Sequence, residues 1–525
     1  MLDSLLRPKS IAVVGASRRP GSIGNGMLKH LVGSGFTGPV YPVNPTADSV
    51  NSVPSFPSIG ALPTVPDLAV IVVPKHLVLG VVRECVQTGV KGIVVITAGF
   101  REVGGDGVEL ERELLALVRE NGLRMVGPNC MGVMNTSPTV SMNATFAPAM
   151  PQNGPIAFMS QSGAMGMTIL DYAMEYGIGI SQFVSMGNKA DVSGNDLIEY
   201  WQDDEEVGVI LMYIEGFGNP RHFTTLARRA TRRKPVLAVK AGRSEAGAKA
   251  ASSHTGALAQ VDIATDALFA QCGVLRADTV EALFDAAIAF SKAPLPQGRR
   301  VAVLTNAGGP GIIIADACEG FGLEVAPLSD ETQSRLREHL PAEASVANPV
   351  DMIASATPEQ VERAMRIIVA DPGIDSVIAS YVPLGLEAPV IAAAINRGAA
   401  GCGKPVLAVL MSKRGLPQGM AELQDTPIPA YRFPESAARA LGAMWRYRQW
   451  LDRPVVEVRR FDVDSTRVGR IIASALREER ERLTVPEAFE VLECYGIPIA
   501  PFRIATSEED VVAAAGEMGY PIVLK

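Results

Sequence analysis

The sequence predicts an α/β protein in which short buried strands of parallel sheets alternate with helices. Hydrophobic residues make up 47% of the 525 residues and charged residues 20%, so a packed core is expected. Apolar runs of strand length recur and end in small or glycine-rich turns, as at Ile11–Val14, 154–159 and Arg300–Thr305. Helical patterns follow these turns, which is typical of strand–turn–helix units. A chain of this length is expected to form roughly three or four domains.

The first predicted strand, Ile11–Val14, leads into a glycine loop and then a helix. In such a turn, backbone amides and the positive end of the helix face a phosphate. The loop expected at this ligand runs from Gly15 to Gly24. The spacing departs from the GxGxxG fingerprint, and residues 41–45 close the second strand without an acidic residue. A nucleotide-like ligand is therefore expected, and a dinucleotide-dependent oxidoreductase is disfavoured.

Further strands are predicted over residues 68–73, 92–97 and 124–126. Ligands of open parallel sheets bind outside the carboxyl ends of the strands, so the turns that follow should line one crevice. These turns contain Pro74, Ala98 and Asn129. Taken singly, each proline or glycine in these turns is better explained by an ordinary strand-to-helix turn. Their joint placement is what indicates a ligand.

A second unit repeats the pattern, because the strand at 154–159 leads into Ser160, Ser162 and Gly163 and then a helix. The exposed amides of the first helical turn would form an anion site, to which the two hydroxyls add hydrogen bonds. Residues 185–191 read either as a ligand loop or as an Asx-type turn.

His254 stands in a run of very small residues, since positions 249–259 read Lys-Ala-Ala-Ser-Ser-His-Thr-Gly-Ala-Leu-Ala. Small residues let backbone approach a ligand closely, and imidazole offers a nucleophilic nitrogen near neutral pH. This suits a histidine that is chemically modified, and the alternative is one that packs or caps a helix. Glu215 follows the predicted strand Val209–Ile214 and could orient an imidazole through its ring N–H, or be a surface carboxylate that caps a helix.

A third unit uses the same device after the strand Arg300–Thr305. The turn and helix start that follow contain the candidate phosphate-binding residues Asn306, Gly308, Gly309 and Gly311. Each helix end carries roughly half a positive charge, so two starts that converge on one phosphate would stabilise it more than either alone. Later strands near 376–379 and 405–410 complete a flavodoxin-like alternation.

Composition excludes several classes of protein. The formal net charge of −8 argues against nucleic-acid binding. Six scattered cysteines without a CxxC pair indicate neither a zinc site nor a disulfide framework, which fits a reducing cytoplasm. No signal peptide is recognised and no apolar run is long enough to span a membrane, so a cytoplasmic protein without membrane contact is expected.

Together these residues resemble the nucleoside-diphosphate-forming acyl-CoA synthetases, the family of succinyl-CoA synthetase. The resemblance covers nearly the whole chain and rests on the order of its motifs: Gly15-Ala16-Ser17, Tyr41-Pro42-Val43-Asn44-Pro45, Gly127-Pro128-Asn129-Cys130-Met131-Gly132, Ser160-Gln161-Ser162-Gly163, Ser253-His254-Thr255-Gly256 and Asn306-Ala307-Gly308-Gly309-Pro310-Gly311. It implies a Rossmann-like CoA-binding domain (1–138), a ligase domain with the phosphohistidine loop (139–294), a second flavodoxin-like ligase domain (295–457), and a linker with the start of an ATP-grasp domain (458–525).

The resemblance also implies a reaction of a small carboxylic acid, coenzyme A and ATP, through an acyl phosphate. His254 corresponds to the histidine that is transiently phosphorylated, and Glu215 would hold its imidazole in the right tautomer. The paired helix starts would hold phosphate, and the crevice of the first domain would hold coenzyme A. The residues at the matching strand ends that the resemblance assigns to coenzyme A are Gly15, Ser17, Ser22, Pro45, Val73, Pro74, Ala98 and Asn129.

The C-terminal part resembles the entry to an ATP-grasp module over residues 483–498. Lys525 would meet ATP phosphate, and Mg²⁺ is expected with ATP in the part of the module beyond this sequence, with no metal site in the chain itself. We expect the sequence to be a fragment, or its nucleotide domain to be incomplete. The resemblance favours a homodimer and leaves the acid open. The alternative function is the CoA-binding regulatory region of a protein lysine acetyltransferase.

Overall fold

The computed structural model describes residues 2–148, 150–244, 246–247, 249, 262–384, 387–411, 418–455 and 461–524. The chain divides into two compact units, 1–453 and 454–525. No helix among the described residues is long and apolar enough to cross a membrane.

The first sheet is five-stranded and parallel, with strand order β2-β1-β5-β6-β7. The elements of this region are α1 (Asp3–Leu6), β1 (Ile11–Val14), α2 (Ile23–Gly33), β2 (Val40–Val43), β3 (Ser49–Val50), β4 (Val53–Pro54), β5 (Leu68–Ile71), α3 (Lys75–Thr88), β6 (Gly92–Val95), α4 (Asp106–Glu120) and β7 (Arg124–Val126). Strands β1, β5 and β6 are buried along their whole length, as expected for a sheet that helices cover on both faces.

The second sheet has seven strands in the order β14-β13-β12-β10-β11-β8-β9. Its elements are β8 (Gly132–Asn135), β9 (Met142–Thr145), β10 (Ile156–Ser160), α5 (Gly163–Glu175), β11 (Ile180–Ser185), α6 (Gly194–Trp201), β12 (Val209–Ile214), α7 (Pro220–Ala230), β13 (Val236–Lys240), α8 (Asp262–Cys272), β14 (Leu275–Arg276) and α9 (Val280–Lys292). The pair β8 and β9 joins the parallel strands antiparallel, through β8 against β11. The sequence analysis did not anticipate this addition, which places 132–135 in the second sheet.

The third sheet runs β16-β15-β18-β19-β20, and β17 pairs with β15. Its elements are β15 (Arg300–Thr305), α10 (Gly308–Gly320), β16 (Glu324–Val325), α11 (Asp330–Arg337), β17 (Val350–Asp351), α12 (Pro358–Val369), β18 (Ser376–Tyr381), α13 (Ala388–Ala399), β19 (Val406–Leu410), β20 (Ala430–Tyr431) and α14 (Pro434–Asp452). The predicted α/β class with parallel sheets is thereby confirmed.

Helices α9 and α14 join the second and third sheets. Arg439 of α14 donates from Nη2 to Asp285 of α9 at 2.7 Å, and the Tyr431 hydroxyl donates to the Asp285 carbonyl oxygen at 2.8 Å. Arg232 lies over the ring of Trp450, with 4.5 Å from its Cζ to the ring centroid. These partly buried contacts hold the two sheets within one unit.

The second unit contains α15 (Ser465–Arg477), α16 (Val485–Cys494) and α17 (Glu508–Met518). Helix α16 begins with a capping box: the Thr484 side chain accepts from the backbone amide of Glu487, and the Glu487 side chain accepts from the backbone amide of Thr484. The domain limits inferred from the sequence stay predictions.

Candidate functional site

The carboxyl edge of the first sheet gathers the residues predicted for the crevice. The strand order changes direction at β1, because β2 lies on one side of β1 and β5, β6 and β7 lie on the other. Ligands of open sheets bind at such a switch point, here between β1 and β5. The predicted residues lie within three residues of a strand end or cap the next helix: Gly15 and Ser17 after β1, Ser22 at the N-cap of α2, Pro45 after β2, Val73 and Pro74 after β5, Ala98 after β6 and Asn129 after β7.

Gly15 has a structural reason to be glycine. Its φ is +93°, and an added Cβ would lie 2.2 Å from the Val72 carbonyl oxygen. Ser17 and Ser22 use their hydroxyls locally, since Ser17 Oγ accepts from the Arg19 amide at 3.1 Å and Ser22 Oγ donates to the Arg19 carbonyl at 2.8 Å. These three residues shape the loop, and a ligand role for them stays a prediction.

The start of α5 is organised by Ser160 and Ser162. The fully buried Ser160 donates from Oγ to the Ser162 carbonyl at 2.6 Å and accepts from the Ser162 amide at 3.2 Å. Ser162 is the N-cap, and its Oγ accepts from the Met165 amide at 3.4 Å. Both hydroxyls therefore fix the turn that presents the amides around Gly163.

Gln161 joins the two strand ends at the switch point of the second sheet. Its Oε1 accepts from the backbone amides of Glu215 (2.8 Å) and Gly216 (3.0 Å), and its Nε2 donates to the Gly216 carbonyl at 2.9 Å. The predicted Glu215 is thus held by its backbone next to the start of α5. Sequence reasoning missed this role, although Gln161 stands between the two predicted serines.

Lys189 is a second functional candidate that sequence reasoning missed. Its Nζ donates to the Gly216 carbonyl at 2.7 Å and to Gln161 Oε1 at 3.3 Å. Burial lowers the pKa of Lys189 to about 8; nearby Arg101 also lowers it, while Glu215 opposes the shift. The available signal was a lysine within the small polar loop 185–191.

The start of α10 in the third sheet repeats the turn. Thr305 Oγ1 donates to the Ala307 carbonyl at 2.9 Å and accepts from the Ala307 amide at 3.1 Å. The buried Asn306 bridges to the end of β18, where it donates to the Val382 carbonyl and accepts from the Val382 amide, both at 2.8 Å. The predicted Asn306 therefore has a structural role in this structure.

The amides that follow differ from those of α5 in being uncapped. Ala307, at the N-cap of α10, offers no side-chain cap. Gly308 and Gly309 are exposed. Gly311 is buried, and a Cβ added there would lie 3.1 Å from Thr305 Cγ2. Backbone amides of this kind are suited to an anion.

Two predicted residues, His254 and Lys525, lie outside the described residues. Convergence of the two helix starts on one phosphate stays a prediction. Within the described part of the chain, no group of three or more His, Cys, Asp or Glu side chains is arranged to hold a metal ion.

Comparison with known proteins gives four family-model matches along the chain. These are a CoA binding domain over residues 9–136, a succinyl-CoA ligase like flavodoxin domain over 153–290, a ligase-CoA domain over 301–453 and an ATP-grasp domain over 474–525.

Two curated relatives match the whole chain. Acetate–CoA ligase [ADP-forming] I of Archaeoglobus fulgidus is 40% identical over 525 residues, covering 100% of this chain and 75% of the relative. The 4-hydroxybutyrate–CoA ligase [ADP-forming] of Nitrosopumilus maritimus is 38% identical over 532 residues, covering 100% and 76%.

A solved structure, the acetyl-coenzyme A synthetase 1 of Ca. Korarchaeum cryptofilum in complex with phosphate and ADP, is also similar. It superposes with a TM-score of 0.82 at 37% identity and covers 87% of this chain and 100% of that chain.

Proposed function

The chain belongs to the family of ADP-forming acyl-CoA ligases, and from that premise we propose which of its residues carry each step. The reaction interconverts carboxylic acid, coenzyme A and ATP with acyl-CoA, ADP and phosphate. The observation that carries the assignment is that the predicted turns stand at the carboxyl ends of parallel strands in three sheets, within the parts of the chain that match a CoA binding domain, a succinyl-CoA ligase like flavodoxin domain and a ligase-CoA domain.

The proposed chemistry begins with phosphate and acyl-CoA. A phosphate oxygen attacks the thioester carbonyl carbon, a C–O bond forms, the C–S bond breaks, and coenzyme A leaves as a thiolate that takes up a proton. His254 then attacks the phosphorus of the acyl phosphate, a P–N bond forms, and the carboxylate leaves as the P–O bond breaks. Finally a terminal phosphate oxygen of ADP attacks the phosphorus, a P–O bond forms, and the P–N bond breaks to release the His254 imidazole. The covalent intermediate divides one transfer into two easier ones.

Coenzyme A is assigned to the carboxyl edge of the first sheet. The match of residues 9–136 to a CoA binding domain supports this, as does the switch point between β1 and β5. The contact residues we propose there are Gly15, Ser17, Ser22, Pro45, Val73, Pro74, Ala98 and Asn129.

Phosphate is assigned to the two helix starts. Amides near Gly163 and near Gly309 would neutralise its oxygens, and Glu215 would accept the N–H of the His254 imidazole and so fix its tautomer. The backbone of Glu215 is already held beside α5 by Gln161, which supports this placement.

ATP is assigned to the part of the chain that matches an ATP-grasp domain, residues 474–525, where Lys525 would contact its phosphates. Mg²⁺ bound with ATP would neutralise phosphate charge there. We also propose a homodimer, which sedimentation of the purified protein tests, and a cytoplasmic location, which suits six free thiols.

The test of the activity uses the full-length protein with a panel of carboxylic acids. We expect ADP formation that requires the acid, coenzyme A and ATP together, with one class of acid preferred. The acid stays open because differences of one methylene are worth only about 1–3 kcal/mol. A regulatory acetyltransferase region, which the relatives do not favour, would bind coenzyme A without forming ADP.

A further inference from the structure

The loop after β11 ties the crevice of the first sheet to the start of α5. Along its length, backbone amides donate to the end of β7: Asn188 to the Pro128 carbonyl at 2.9 Å and Ala190 to the Gly127 carbonyl at 3.2 Å. The loop is thereby fixed to the edge of the first sheet.

Side chains strengthen the same attachment. Asn188 donates from Nδ2 to Glu102 Oε2 at 2.6 Å and to Glu111 Oε2 at 2.7 Å, and Asn129 donates to Asn188 Oδ1 at 3.3 Å. The proposed CoA-contacting residue Asn129 is therefore connected to the loop that carries Lys189. One hydrogen-bonded loop thus connects the two proposed ligand sites.

Lys189 lies at the centre of this element. Its backbone has φ +48°, a left-handed conformation uncommon for a residue with a side chain. In this conformation its ammonium reaches the turn before α5, where it donates to Gln161 and Gly216. An ammonium has three N–H donors, so these two bonds leave one for a ligand.

The charges around this ammonium favour an anion. Arg101 and Lys240 both lower the pKa of Lys189, as burial does first, and Glu215 is the acidic group that opposes them. Glu102, after β6, and Glu111, in α4, both accept from Asn188, and Glu111 also lies 3.5 Å from Arg101 Nε. The positive charges of Arg101 and Lys240 thus act on Lys189. The amides at the start of α5 are also positive, so an added phosphoryl group would offset this repulsion.

Lys292 shows what a purely structural lysine looks like in this protein. Its Nζ donates to the carbonyls of Leu423 (3.0 Å) and Gln424 (2.8 Å), and burial lowers its pKa too. The charged group acting on it is Asp425, which raises its pKa. Two lysines with similar hydrogen bonds thus differ in the charges that surround them, and only Lys189 stands at a helix start proposed for phosphate.

We propose that Lys189 contacts the phosphoryl oxygens of phosphate and of the acyl phosphate at the start of α5, alongside the α5 amides. This inference rests on the proposed function. No covalent step passes through the lysine, which acts by charge and by one hydrogen bond.

The experiment follows phosphate-dependent release of the coenzyme A thiol from acyl-CoA by the full-length enzyme without nucleotide, using inorganic phosphate and the acyl group preferred in the acid panel. Lys189→Met removes the charge and keeps an unbranched side chain, Lys189→Arg keeps the charge, and Lys292→Met is the matched control. We expect Lys189→Met to raise KM for phosphate at least about 10-fold, which corresponds to the loss of one charge-assisted hydrogen bond. Lys292→Met leaves that KM unchanged.

The pH profile separates substrate contact from a structural role. In the wild type, KM for phosphate should rise between pH 7 and 9, because a lysine with a pKa of about 8 loses its charge over that range. In Lys189→Arg this rise should be absent, since arginine stays protonated. Equal KM values for Lys189→Met and wild type, or the same rise in Lys189→Arg, would overturn the proposal. Wild-type enzyme that releases no thiol with phosphate would instead contradict the proposed function itself.

Discussion

The starts of α5 and α10 share the same hydrogen-bonded turn and differ in the side chains that surround it. In each, a hydroxyl at the strand end closes the turn, through Ser160 in one and Thr305 in the other. In each, an amide side chain bridges to the neighbouring strand across the switch point, through Gln161 or Asn306. The hydrogen-bonded turn and its bridge to the next strand are therefore the same in both sheets.

The difference lies in what stands around the helix start. Beside α5 lie Glu215 and Lys189, whereas the strand end beside α10 supplies the backbone of Val382. Helix α5 has a serine N-cap and α10 has an alanine. The comparison teaches that the start of α5 has both an acidic and a basic side chain beside it, whereas the start of α10 has backbone amides and one carboxylate, Asp351, which already accepts the Ile353 amide. Substitutions should therefore act on proton and charge chemistry at α5 and on anion affinity at α10.

The largest effect is expected at Glu215. Glu215→Gln should slow phosphorylation of His254 by at least about 100-fold, because an amide does not stabilise the charged imidazole as a carboxylate does. The measurement is rapid-quench formation of acid-labile phosphoenzyme. The matched control at the other start is Asp351→Asn, beside Gly308, where the Asp351 carboxylate accepts from the Ile353 amide at 3.0 Å. A similar loss in both variants would break the comparison.

Gly309→Ala should separate stability from affinity. No atom lies within 4 Å of a Cβ added at Gly309. Alanine should therefore raise the free energy of unfolding by about 0.5–1 kcal/mol in this helix. The added methyl would crowd an anion at the α10 amides and raise KM for phosphate several-fold. Gly320→Ala, at the other end of the same helix and equally unobstructed, should give the stability gain alone. Urea denaturation measures the change in stability, and initial rates measure KM for phosphate. An unchanged KM in Gly309→Ala would show that phosphate does not bind at the α10 amides.

The smallest effects concern the two caps. Ser162→Ala should lower the free energy of unfolding by about 0.5–1 kcal/mol, because the Met165 amide loses its acceptor. The reverse change, Ala307→Ser, should gain less, since Pro310 stands where the third amide of α10 would bond to the new hydroxyl. Equal and opposite shifts in urea denaturation would show that the two starts are interchangeable.

Local pattern was enough to predict the parallel sheets and the turns that carry the candidate ligand residues. Strand runs and glycine turns are read from neighbouring residues, which is why Ser160, Glu215 and Asn306 stand at strand ends as expected. Lys189 and Gln161 were missed because their partners lie 27 and 54 residues away in sequence. The antiparallel pair β8 and β9 was missed for the same reason, since its register depends on β11. Pairings between distant segments leave no local signature.

The most direct test of the account is phosphorylation of His254. The full-length enzyme, incubated with radiolabelled phosphate and its acyl-CoA, should acquire acid-labile label on the protein, and added ADP should discharge it as ATP. His254→Ala should acquire none while retaining phosphate-dependent release of coenzyme A. Equal labelling of the two proteins, or ATP formation by wild-type enzyme that never becomes labelled, would contradict the central claim.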